Sequence, residues 1–113
     1  MRRASAIGLA VLGLAIAAPA VGGTRGVLVK DDSFSPRART AAPGDVIRFK
    51  WRSTENPHDV KFTRAPRGAR KPRKCSLRTS GRCKRRVAKR GVYRYVCTIH
   101  LASDNMRGRI VVR

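Results

Sequence analysis

Residues 93–112 read YRYVCTIHLASDNMRGRIVV, and within ten of them stand a thiol, an imidazole and a thioether: Cys97, His100 and Met106. These residue types are scarce elsewhere. The chain has two His, His58 being the other, three Cys, and no Met besides Met106 and the initiator. A three-residue step from Cys97 to His100 lets the chain leave a strand and aim the imidazole back at the thiol. Met106 comes six residues later, just before a second strand-like run, so all three share one loop. His58 lies far away in sequence, beside Pro57, whose ring stiffens its approach. Two imidazoles and a thiolate with a weak thioether suit copper: nitrogen satisfies Cu(II), soft sulfur satisfies Cu(I), and the compromise is a trigonal site with a long axial sulfur. The corresponding chemistry is one-electron transfer without a substrate. Each residue alone has an ordinary explanation, since most lone histidines sit at the surface and most lone methionines pack. The set argues for one bound ion, because chance would have to place every such residue compatibly.

A frame that holds such donors still must come from the rest of the chain, and its pattern is that of strands. From Gly26 onward the apolar residues recur with period two in short runs, and nowhere at helical spacing. GVLVK (26–30) is a first strand, and SFSP followed by ARTA bends into a second. After the Pro43-Gly44 turn, VIRFKWR alternates, with Ile47, Phe49 and Trp51 on one face and Arg48, Lys50 and Arg52 on the other. DVKFT (59–63) turns Val60 and Phe62 inward, and His58 shares their parity. GVYRYVC (91–97) and RGRIVVR (107–113) are the last two strands. The expected fold is all-β, a sandwich or small barrel without helices.

Residues 1–20 read as an export signal: Arg2 and Arg3, an apolar run from Ile7 to Ala17, and small residues at Ala18-Pro19-Ala20. The apolar run is shorter than the roughly 20 residues that span a bilayer, so the expected mature chain, 21–113, has no membrane anchor. Losing Arg2 and Arg3 from a net charge of +21 leaves +19 on one small domain. Residues 64–90 hold thirteen Lys or Arg, two Pro and no acid. They read as a basic insertion, either merely solvated or a docking surface for something anionic.

Export places the cysteines where thiols oxidise. Cys75 and Cys83 flank a turn at Ser80-Gly81, and a hairpin there brings their Cβ atoms to bridging distance. The chain-entropy value of so short a closed loop is about 2–3 kcal/mol. That pairing leaves Cys97 unpaired, as a buried thiol, a nucleophile or a metal ligand, and its neighbours favour the ligand.

The segments DSFSP, APGDVIRFKW, NPHDVKF, GVYRYVCTIH and MRGRIVV resemble the plastocyanin-like cupredoxins, the small blue type 1 copper proteins, over almost the whole of 21–113. The resemblance implies a Greek-key β-sandwich holding one copper ion. It implies His58, Cys97 and His100 in the copper plane, Met106 as axial donor and His100 as the partly exposed electron port. Asp59 would support the thiolate through its backbone N–H. The loop from His100 to Met106 is one residue longer than the commonest plastocyanin pattern, and the basic segment departs from a family many of whose members present acidic surfaces. The expectation is an exported, monomeric electron carrier, periplasmic, at the cell surface or extracellular, not an enzyme, exchanging electrons with acidic redox partners and requiring no nucleic acid.

Rival readings use the same residues. One Cys and two His also make an open zinc site, but there is no HExxH and Glu55 is the only Glu. A cysteine hydrolase built on Cys97 lacks the helix start that activates such thiols. C-x-x-C-H, the haem attachment motif, is absent. Copper carriage or storage remains open on the same ligands. So does a basic polyanion-binding module on 64–90, although aromatic residues for base stacking are missing there.

Overall fold

The computed structural model describes residues 22–113, so the expected leader lies outside the described residues. The described residues form nine strands and one short helix: β1 (Thr24–Lys30), β2 (Ser33–Ser35), β3 (Ala38–Ala41), β4 (Asp45–Trp51), β5 (His58–Arg64), β6 (Cys75–Arg78), β7 (Gly81–Val87), β8 (Gly91–Val96), α1 (Leu101–Asp104) and β9 (Arg107–Val112). One sheet has the order β2-β1-β4-β7 and the other β3-β9-β8-β5-β6. The pairs β1/β4 and β3/β9 are parallel, and the remaining neighbours are antiparallel. The result is the all-β sandwich expected from the period-two pattern, in the Greek-key arrangement that the resemblance implies.

Strand β4 illustrates how the sequence sets the layers. Asp45, Ile47, Phe49 and Trp51 are buried while the intervening residues are half-exposed, because alternate side chains of a strand point to opposite faces. Gly44, at φ 90°, makes the turn into it, a conformation that carries no Cβ penalty in glycine. Between the sheets, Phe34 and Phe49 from one meet Tyr95 and Phe62 from the other. Ring centroids lie 4.9 Å apart for Phe34–Tyr95, 5.2 Å for Phe49–Tyr95 and 6.1 Å for Phe49–Phe62, mostly edge to face. This cluster fixes the two sheets against each other directly beneath the end where β4 stops and β5 starts.

Three expectations need correction. Residues 64–90 are not an excursion from the sandwich: β6 is the edge of one sheet and β7 the edge of the other. Their inward residues, Cys75, Cys83 and Val87, are buried, while the dense cations on the outward positions hide the alternation from a sequence reading. Cys75 and Cys83 are disulfide-bonded, with Cα atoms 6.2 Å apart, but not across a hairpin. β6 pairs with β5 and β7 with β4, so the bridge joins the two sheets through the core. Finally, the loop after His100 contains one turn of helix, α1, closed by Asn105 in the left-handed region. Leu101-Ala102-Ser103-Asp104 is too short to carry a readable helical period.

Candidate metal centre

His58, Cys97, His100 and Met106 arrive at one end of the sandwich from β5, the end of β8, the β8–β9 loop and the start of β9. His58 opens β5 facing the core. Trp51, at the end of β4, donates its indole N–H to the His58 carbonyl at 3.0 Å, which ties β5 to the opposite sheet. Cys97 follows β8, and its backbone N–H donates to the Met106 carbonyl at 3.0 Å. The N–H groups of Asp104 and Met106 both donate to the His100 carbonyl, at 3.0 and 3.3 Å. The helical turn therefore absorbs the extra loop residue and returns Met106 beside Cys97. Cys97 and Met106 are buried.

Three donor atoms converge. His58 Nδ1 and His100 Nδ1 are 3.1 Å apart, and Cys97 Sγ lies 3.5 Å from His100 Nδ1 and 3.8 Å from His58 Nδ1. A triangle with these sides has an area of about 5.1 Å². The product of its sides over four times that area places one point about 2.0 Å from all three atoms. Metal–nitrogen bonds of 2.0–2.1 Å and metal–sulfur bonds near 2.3 Å are the known scale for such donors, so the trio fits a single transition-metal ion. Among the described residues, this is the group that joins a sulfur donor to two imidazoles.

The Asp59 side chain makes hydrogen bonds of its own: the Thr98 N–H donates to Oδ1 at 2.7 Å and the Thr98 hydroxyl to Oδ2 at 2.6 Å. Thr98 directly follows Cys97, so Asp59 anchors the loop that carries the thiol. Burial pushes the Asp59 carboxyl up, but the two Thr98 bonds and the Lys74 ammonium, 3.3 Å away, outweigh it and hold it below its ordinary value. Lys74 precedes Cys75, which connects the basic edge to the site.

Sequence reasoning missed Asp31 and Asp32, which form the turn between β1 and β2. Asp31 Oδ1 is 2.9 Å from His58 Nε2, and Asp32 Oδ1 is 3.9 Å from His100 Nε2. The available signal was rarity: Asp31-Asp32 is the sole pair of adjacent acids in a chain with six.

No family model matches the chain, and no curated protein matches it in sequence. Solved structures do. A pseudoazurin from Methylobacterium extorquens AM1 is 25% identical, with 79% of this chain and 74% of that one covered at a TM-score of 0.63. A purple cupredoxin from Nitrosopumilus maritimus is 15% identical over 79% of this chain and 99% of its own, at 0.64. Oxidised plastocyanin from the fern Dryopteris crassirhizoma is 23% identical over 78% and 99%, at 0.61.

The fold is that of the plastocyanin-like cupredoxins.

On this cupredoxin frame the two imidazoles differ in access. The His58 side chain is 0% exposed and that of His100 is 17% exposed, with Ile99 beside it half-exposed. The frame also sorts charge. Asp31, Asp32, Asp59 and Asp104 all stand at the donor end, Asp104 close to His100 and Asp32. Glu55 is there too, its backbone N–H held by Asp31. The sixth acid, Asp45, is at the other end of β4. At that distant end a groove of about 590 Å³ is lined by Arg70, Lys71, Arg73, Arg86, Lys89 and no acid. Arg86 and Val87 close β7 opposite Val46 and Asp45, whereas Gly81 pairs with Trp51 at the donor end.

Proposed function

We propose that the chain is an exported, monomeric copper protein that carries single electrons. His58 Nδ1, Cys97 Sγ and His100 Nδ1 form the plane of its site, and Met106 is a weak fourth donor. The observation that carries this reading is the triangle of donor atoms with room for one ion about 2.0 Å from each. Bound copper supplies the one-electron couple that a mixed nitrogen and sulfur donor set makes accessible.

The chain's own part is to hold the donors still. Backbone hydrogen bonds lock Cys97, His100 and Met106 to one another, and Trp51 and Asp59 fasten the His58 and Cys97 segments. A frame this constrained lets charge change with little rearrangement. His100, the more exposed imidazole, is the port, and Ile99 supplies an apolar rim for a redox partner.

Residues 21–113 form the copper domain, and the export signal is residues 1–20. The buried disulfide supports an oxidising destination, such as periplasm, cell surface or extracellular space. Glu55 is the only Glu, it is exposed, and the HExxH motif is absent, so zinc hydrolysis is disfavoured. The net charge of +19 after the leader favours an acidic redox partner. The cationic groove supports a second, compatible activity, the binding of a polyanion at the end away from the port.

Adding Cu(II) to purified residues 21–113 is expected to give an intense thiolate-to-copper charge-transfer band and a type 1 paramagnetic resonance spectrum. Cys97→Ser abolishes the band, whereas the double change Cys75→Ser with Cys83→Ser keeps it. A colourless protein that instead takes up zinc stoichiometrically would overturn the electron-carrier reading.

A further inference from the structure

The contact between Asp31 and His58 has a chemical consequence for the site. Asp31 is held by three donors: the Glu55 N–H on Oδ2 at 2.9 Å, the Asn56 N–H on Oδ1 at 3.1 Å, and His58 Nε2 at 2.9 Å from Oδ1. The two backbone donors come from the loop that delivers β5, so carboxylate and imidazole belong to one rigid unit. Both carboxylate oxygens already accept a backbone N–H, and a carboxylate accepts hydrogen bonds and donates none. The proton between the two must therefore sit on His58 Nε2, which leaves Nδ1 as a bare lone pair facing Cys97 Sγ and His100 Nδ1. His58 is wholly buried, so water does not supply an alternative partner.

We propose that Asp31 is the positioning residue that sets the His58 tautomer and biases the copper couple toward Cu(II). The inference rests on the copper reading above. A carboxylate on the outer nitrogen raises the basicity of the inner one, and a more basic donor with a negative charge behind it favours the more highly charged ion. In a chain otherwise so cationic, Asp31 works against the general field, which favours the reduced state. Asp32 acts on His100 only through space, since 3.9 Å is too long for a hydrogen bond, and its carboxylate is half-exposed and screened.

The test compares wild type, Asp31→Asn, Asp31→Glu and Asp32→Asn as copper-loaded chains by redox titration and absorption. Asp31→Asn keeps the charge-transfer band and shifts the Cu(II)/Cu(I) equilibrium toward Cu(I) by about tenfold, which is about 59 mV for one electron. Asp31→Glu returns most of the shift, and Asp32→Asn gives a smaller one. A change of less than twofold in Asp31→Asn, or one toward Cu(II), overturns the proposal. Nitrogen-15 spectra of metal-free wild type at mildly alkaline pH decide the same point without copper. Protonated Nε2 and bare Nδ1 on His58 support it, and the reverse tautomer overturns it. Should wild type fail to develop the charge-transfer band, the copper reading fails, and those spectra still judge the role of Asp31.

Discussion

At the scale of residues, carboxylates are the scarce resource of this chain, and three of them join segments distant in sequence. Asp59 anchors the residue after the thiol, Asp31 backs the buried imidazole, and Asp45 ties down the far end. The Asp45 carboxylate accepts the Ala42 N–H at 2.9 Å and the Gly23 N–H at 2.7 Å, with Arg25 Nε at 3.2 Å. The Ala42 and Gly23 bonds outweigh burial and, with Arg25, lower its pKa from 3.8. A depressed carboxyl stabilises the fold fully above its unfolded value and ceases to do so as pH falls through the folded one. Asp45→Asn is thus expected to lower the melting temperature at neutral pH. The gap from wild type should close as pH drops below 3.8, which thermal unfolding over a pH series would measure. A gap that stays constant down the series would remove the linkage.

At the scale of elements, the disulfide is the feature whose meaning depends most on topology. Within a hairpin it would brace a surface loop; as built, it clamps β6 to β7 across the sheets, next to the strand that carries His58. The cysteines are 8 positions apart, and closing so short a loop stabilises by about 2–3 kcal/mol in the chain-entropy model. The double change Cys75→Ser with Cys83→Ser should cost about that much in denaturant unfolding while leaving the charge-transfer band in place. Loss of the band together with the stability would show that the clamp also shapes the donor triangle. The α1 turn matters in the same way, because it brings the Met106 N–H back to the His100 carbonyl just ahead of β9.

At the scale of the whole molecule, charge is divided between the ends. The cationic groove opens away from the port, and the carboxylates gather beside His100 and His58. The net positive charge draws an anionic partner from a distance. Exchange with an acidic redox partner is expected to slow as ionic strength rises, because the field is screened within about 8–10 Å at physiological salt. Arg70→Glu with Arg86→Glu should weaken retention on an anionic polysaccharide several-fold while the copper spectrum stays unchanged. Salt-independent exchange rates would remove the steering argument, and undiminished retention would remove the groove.

The alternation of apolar residues determined the all-β class and most strand positions, since a half-buried strand can satisfy its two faces only with period two. The scarcity of His, Met and unpaired Cys likewise singled out residues that the fold brings to one end of the sandwich, because residues this rare have few other reasons to cluster. Other features depended on which segments became neighbours in space. Pairing β6 with β5 and β7 with β4 turned an apparent basic insertion into two sheet edges and a hairpin bridge into a clamp across the core. Contacts of long sequence separation did the rest: Asp31 reaches His58 across 27 residues and Asp59 reaches Thr98 across 39. Side-chain hydrogen bonds of that kind leave no periodic trace in a sequence, so the tertiary structure alone decided them.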